Sequence, residues 1–225
     1  MKLMHNLLEN EILSEAQPLA VWVIENEKFC FDSVKSLLQQ CQGEDGPYVL
    51  TENGKLANIS KSLAFTPSPF SIDHNPRRAL TGLYKQLNTS LAQSDTASKV
   101  QDLLEQISDI LRESLLDVEG DLELPNLPDW EGVWKFFNIQ FRESYTNLAE
   151  EICDFTRAAR QFLGFQVFIF VGILAYINPA DLAALAKQLA YDQIQLVLIE
   201  NYLPEEKHLM GMQVLTVDRD LCEVK

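Results

Sequence analysis

The chain has 225 residues, 47% hydrophobic and 23% charged, with 9 Gly and 9 Pro; this composition excludes wholesale disorder, collagen and low-complexity sequence. The length suits one large domain or two small ones and can bury a sizeable core. Net charge is −15, from 18 Lys+Arg against 33 Asp+Glu, which excludes a generally basic nucleic-acid coat, so any DNA or RNA contact must come from a local patch, an oligomeric channel or a bound cation.

Met1–Asn10 carries Lys2 and His5, but Glu9 and Glu11 stand where an apolar signal core would continue, so no secretory signal is expected. Leu19–Glu25 is a continuous apolar, β-rich run, the pattern of a strand buried on both faces. Asn26 can cap a helix carrying Cys30, Val34, Leu37, Leu38 and Cys41, which Gly43 and Gly46 end. Tyr48–Leu50 reads as another short strand, and Thr51–Asn75, polar and holding Pro67 and Pro69, as strands and loop.

At Asn75 the period changes. Asn75-Pro76 reads as a cap followed by proline at the first helical position. Leu80, Leu83, Tyr84, Leu87 and Leu91 make one helical stripe, and Val100, Leu103, Leu104, Ile107, Leu111 and Leu115 a second after the Ser94–Ser98 break. The acidic, proline-containing segment Asp117–Asp129 follows. Asp129 then caps a short helix with Trp130, Val133, Trp134 and Phe137, and a long helix shows Leu148, Ile152, Phe155, Ala159 and Phe162. Strand character returns at Phe165–Val171. Asn178-Pro179 opens a helix with Leu182, Leu185, Ala186 and Leu189, and Ile194–Glu200 and Gln213–Val217 are strands. Alternating strands and helices imply a parallel sheet with crossovers. The expected fold is therefore α/β, a head built from residues 1–74 and 164–225 with a mostly helical leg, 75–163, inserted between its halves. The longest apolar run, Phe165–Ile177, is broken by Gln166 and Gly172 and falls short of the about 20 residues a membrane helix needs, so no membrane association is expected.

Several chemistries are excluded by pattern. No glycine pair has the spacing of a phosphate loop or of a dinucleotide fingerprint, both of which need glycines so that backbone N–H groups can approach phosphate. Two strands end in the same triplet, Ile24-Glu25-Asn26 and Ile199-Glu200-Asn201. Acids there stand where such sheets bind ligands, but without a phosphate loop they read as strand exits with Asn capping the chain. There is no G-x-S-x-G, and His5, His74 and His208 have no partner at metal-ligand spacing; each lies in a polar or terminal segment and is expected at the surface. Cys30, Cys41, Cys153 and Cys222 are too dispersed for a zinc site and read as reduced, mostly buried thiols of a cytoplasmic protein.

One cluster is acidic. Asp117, Glu119, Asp121 and Glu123 alternate, and no Lys or Arg lies between 117 and 131. In an extended segment this spacing puts all four carboxylates on one side, with Leu116, Val118, Leu122 and Leu124 forming a packed opposite face. Such an oxygen-rich set suits a hard cation such as Ca²⁺, although it is not an EF-hand loop; the alternative is a solvated acidic loop. Basic residues are sparse: Lys55 and Lys61 flank a polar loop, Arg77 and Arg78 open a helix, and Lys135, Arg142, Arg157 and Arg160 lie on the later helices, each expected to pair with acids unless folding and assembly gather them.

In chain order, the strand into Val23-Ile24-Glu25-Asn26, the Leu83-Tyr84-Lys85-Gln86-Leu87 helix, Asp121-Leu122-Glu123, Phe162-Leu163-Gly164, the FIFV strand, Leu198-Ile199-Glu200-Asn201 and the Leu221-Cys222-Glu223 ending resemble the ring-forming accessory adaptation proteins of type II-A CRISPR systems. The resemblance covers essentially the whole chain. It implies a degenerate P-loop-like α/β head with a helical leg, a homotetrameric ring with a basic inner surface, and binding of double-stranded DNA ends without sequence preference. It also implies a requirement for Ca²⁺, no catalytic activity, and a role in spacer acquisition beside the CRISPR integrase proteins and the effector nuclease. It assigns calcium to Glu119, Asp121 and Glu123, to which the spacing adds Asp117, and DNA contact to Lys55, Lys61, Lys135 and Arg142. Pro125 and Pro128, just after the acidic run, depart from the family pattern. The competing expectations are a protein-interaction scaffold without direct DNA binding, and an unorthodox nucleotide hydrolase using Glu25 or Glu200.

Overall fold

A computed structural model describes residues 1–116, 118–120, 122–123, 126–203 and 212–224. Its elements run β1 (Lys2–His5), β2 (Leu19–Ile24), α1 (Glu27–Cys41), β3 (Tyr48–Glu52), β4 (Lys55–Ala57), α2 (Ile59–Ser62), β5 (Leu63–Thr66), α3 (Arg77–Ala92), α4 (Ala97–Leu115), α5 (Trp130–Phe136), α6 (Leu148–Leu163), β6 (Val167–Val171), α7 (Pro179–Asp192), β7 (Gln195–Glu200), β8 (Gln213–Val217) and β9 (Glu223–Val224). The chain divides into two compact units, Met1–His74 with Arg142–Lys225, and Asn75–Phe141.

The first unit is built on a six-stranded sheet in the order β5-β6-β7-β2-β8-β9. Its first five strands are parallel and β9 is antiparallel. The apolar runs are unbroken because both faces are covered. In β2, Ala20, Trp22 and Ile24 enter one core while Leu19, Val21 and Val23 enter the other. Val197 and Ile199 of β7 follow the first set, and Leu196 and Leu198 the second. Leu37 of α1 covers one face together with Leu3, Tyr48 and Leu50; Ile152 and Ala159 of α6 and Leu182, Leu185 and Leu189 of α7 cover the other. Each fully buried aliphatic side chain contributes about 1.5–3 kcal/mol relative to an exposed one.

Two features differ from the sequence reading. The strand at Tyr48 does not join the parallel sheet. It pairs antiparallel with β1 and β4 in a separate three-stranded sheet. β1 is too short, with only Leu3 and His5 buried, to announce itself by period. The helical unit starts at Asn75 but ends at Phe141, not at 163. α6 is amphipathic like a leg helix, yet its apolar stripe lies on the parallel sheet and helps form the second core.

In the second unit, Ala79 and Tyr84 of α3 and Val133 of α5 are buried. The Tyr84 hydroxyl donates to the Ile139 carbonyl at 3.0 Å, and Trp134 Nε1 donates to Asn88 Oδ1 at 2.7 Å. Asn75 does not cap α3. Pro76 holds the cap position without a side-chain bond, and the Asn75 amide turns to Phe141 instead.

Candidate functional site

The carboxyl ends of the parallel strands come first, because doubly wound sheets bind ligands there. Only Glu25 and Asn26 separate β2 from α1, which leaves no room for a glycine-rich nest. Asn26 Oδ1 accepts the Phe29 N–H at 2.9 Å, capping α1, and its amide donates to the Arg219 carbonyl at 2.9 Å. The Cys30 thiol donates to Asn201 Oδ1 at 3.0 Å. Glu200, buried, accepts the Leu174 N–H at 2.8 Å. Both Ile-Glu-Asn triplets therefore use their Asn, and the second its Glu, to fasten the chain.

The histidines are not at the surface as expected. His5 is buried among the rings of Trp22, Phe29 and Tyr48, at centroid distances of 6.2, 5.5 and 4.9 Å. Burial holds its pKa below the usual histidine value. His74 Nε2 lies 3.0 Å from Glu151 Oε1, with its side chain 8% exposed. His208 lies outside the described residues. The four thiols are free, but only Cys30 is buried and Cys222 is exposed. Burial pushes the Cys41 thiol up to about 11.

Of the acidic run, Asp117 and Asp121 lie outside the described residues, and Glu119 and Glu123 are exposed. Residues 118–120 form a bend, not an extended strand, and Gly120 has φ 149°. The opposite apolar face is not packed: Leu116, Val118 and Leu122 are all exposed. Among the described residues no three His, Cys, Asp or Glu side chains converge to hold a metal. The donor chemistry, carboxylate oxygens alone, still matches a hard cation.

The basic candidates separate into two kinds. Lys55 on β4 and Lys61 on α2 are exposed, and neither takes part in an ion pair among the described residues. Lys135 pairs with Glu131 at 2.7 Å, which holds its ammonium pKa above the ordinary value. Arg142 pairs with Glu150 at 3.2 Å, donates to the Ser144 carbonyl and lies 5.0 Å from the centre of the Tyr145 ring. Lys55, Lys61 and Arg142 belong to the first unit and Lys135 to the second. Arg157 is engaged by Asp192 at 2.6 Å, and Arg160 donates to the Asp192 and Gln193 carbonyls, so both fasten α6 to the end of α7.

Sequence reasoning missed a cavity of about 460 Å³ lined by Phe70, Asp73, His74, Glu143 and Glu151, among others. Its residues come from two distant stretches and carry no spacing signal. Among the described residues no helix is long and apolar enough to cross a membrane.

A family model described as CRISPR-associated protein (Cas_Csn2) matches residues 40–221. A solved structure, the crystal structure of Stu0660 of Streptococcus thermophilus, is similar with a TM-score of 0.56 and 13% identity, covering 97% of this chain and 75% of that one. At that identity the likeness speaks for the fold. No curated protein sequence matches.

Proposed function

The chain belongs to the CRISPR-associated Cas_Csn2 family, a family of CRISPR adaptation, and from that premise we propose that it binds double-stranded DNA ends without sequence preference, as a calcium-stabilised homotetrameric ring. It acts in the cytoplasm during spacer acquisition, beside the integrase proteins and the effector nuclease, and does so without catalysing a reaction. The observation that carries the DNA reading is the state of Lys55 and Lys61, two exposed cations with no ion pair among the described residues in a chain of net charge −15. In so acidic a protein most cations are expected to be neutralised in place.

The physical difficulty is repulsion between an acidic subunit and phosphate. A closed ring resolves it if its cations face inward and its acids outward. Four copies of Lys55 and Lys61 would neutralise roughly eight phosphates, which gives a log–log salt slope of about −7. Lys135 and Arg142 join only by exchanging Glu131 and Glu150 for phosphate. That exchange is cheap, because exposed ion pairs are worth about 0–1 kcal/mol. Calcium bound by Asp117, Glu119, Asp121 and Glu123 would supply positive charge to the segment after α4 and stabilise whichever assembly binds it best.

Mass photometry of the purified protein tests the reading, in millimolar calcium and in chelator, with and without blunt linear duplex. The expected result is a tetramer in calcium that loosens in chelator and shifts in mass with duplex. A species that ignores both calcium and duplex would leave the scaffold reading in its place.

A further inference from the structure

α4 has no core of its own. None of its residues enters either hydrophobic core of the protein, yet Leu103, Ile107, Ile110 and Leu111 are 57%, 53%, 64% and 47% exposed. At about 100° per residue, Leu103, Ile107 and Ile110 fall within a sector of about 60°. Asp102, Glu105, Asp109 and Arg112 turn away from that sector, and Arg112 already pairs with Asp109 at 2.7 Å. A helix of this length is marginal in water without tertiary packing, so the stripe calls for a partner.

We propose that the α4 stripe is a homotypic contact, in which α4 of a second copy of this chain packs antiparallel across it. This rests on the reading that the subunits associate, and names the helix and side chains through which they do so. The occupant follows from charge. An antiparallel copy turned about Ile107 sets Leu103 against the partner's Ile110 and Ile107 against the partner's Ile107. The same operation brings Lys99, which borders the stripe at its start, to the partner's Glu113, which borders it at its end. The two-fold axis repeats that attraction, so a single opposite-charge arrangement serves both ends of an isologous contact. A parallel copy would instead set Lys99 on Lys99 and Glu113 on Glu113. The remaining acids, Asp102, Glu105 and Asp109, stand away from the seam, where two acidic helices repel least.

Sedimentation equilibrium of the full chain in millimolar calcium tests this with four variants. K99E and E113K are each expected to weaken association about tenfold, because each replaces two attractions with two repulsions. The double variant K99E/E113K restores it, since the swapped charges again oppose one another. I107E/I110E, with charge placed in the seam, abolishes this contact; circular dichroism confirms that the helices survive. If the wild type associates and none of these variants changes it, the subunit contact lies elsewhere and this inference fails while the ring stands. If the wild type remains a single subunit throughout, the inference and the assembly reading fall together.

Discussion

The side chain of Asn75 holds both backbone groups of Phe141: its amide donates to the carbonyl at 3.1 Å and its carbonyl oxygen accepts the N–H at 2.8 Å. These residues are the first and last of the helical unit, so one side chain closes the unit at its two ends. Asn75→Ala removes both bonds, at about 0.5–1.5 kcal/mol each. The expected outcome is a urea midpoint lowered by that amount, read by the fluorescence of Trp130 and Trp134 in the same unit. Asn75→Asp keeps the acceptor and is expected to fall between the two.

That clasp also shows where sequence reading stops. Asn75-Pro76 carries the local signature of a helix cap, and a cap is decided within a few residues. The partner that wins lies 66 positions away, and nothing in the local pattern distinguishes the two uses of an Asn side chain. The buried strands were legible because a two-sided core demands unbroken apolar runs, as Leu19–Ile24 and Gln195–Glu200 show. The stripe of α4 was legible as helix. Its exposure was not, because periodicity reports which residues share a face and says nothing of what covers that face. His5 reads as polar, and its burial depends on Trp22, Phe29 and Tyr48, which come from three separate elements.

His5 gives the fold a pH dependence with a definite sign. Burial lowers its pKa in the folded chain below the unfolded value of 6.5. Above that value both states are neutral and the residue adds no penalty. As pH falls below it, the unfolded chain takes up a proton that the folded chain resists, so stability declines until the folded pKa is passed. Urea unfolding at pH 8, 7, 6 and 5.5 is expected to show a flat region and then a loss. His5→Phe is expected to remove the part of that loss that is due to this residue, and an unchanged profile in the variant would place the proton uptake elsewhere.

Glu200 tests whether the strand exits are structural or catalytic. Its carboxylate receives the Leu174 N–H within the protein interior. Glu200→Ala strands a buried donor, which costs about 1–3 kcal/mol, and is expected to lower the unfolding midpoint accordingly. Titration of the wild type with ATP and Mg²⁺ is expected to give no binding heat, since the two-residue connection from β2 to α1 has no backbone nest for phosphate. Saturable heat, lost in the variant, would bring back the nucleotide reading.

The acidic run and calcium are tested apart from DNA. Glu119→Gln/Glu123→Gln keeps size and hydrogen bonding while removing two charges that a hard cation needs. If these residues bind calcium, the metal raises the thermal midpoint of the wild type and not of the double variant, because a ligand stabilises only the state that binds it. A midpoint in the wild type that is indifferent to calcium and to chelator would identify the run as a solvated acidic loop.

The last prediction separates the two kinds of cation. Lys55 and Lys61 are exposed and outside any ion pair among the described residues, whereas Lys135 and Arg142 are held by Glu131 and Glu150. A cation that already has a carboxylate releases no counterion when phosphate replaces that carboxylate, so it adds little to the salt dependence of binding. In gel-shift titrations of linear duplex from low to moderate salt, Lys55→Ala/Lys61→Ala is expected to flatten the log–log slope steeply, by about 0.9 for each phosphate that the ring no longer neutralises. Lys135→Ala/Arg142→Ala is expected to leave the slope almost unchanged. If the second pair flattens the slope and the first does not, the ion pairs of Lys135 and Arg142 open on binding, and the channel is lined by the residues that the isolated chain keeps neutralised.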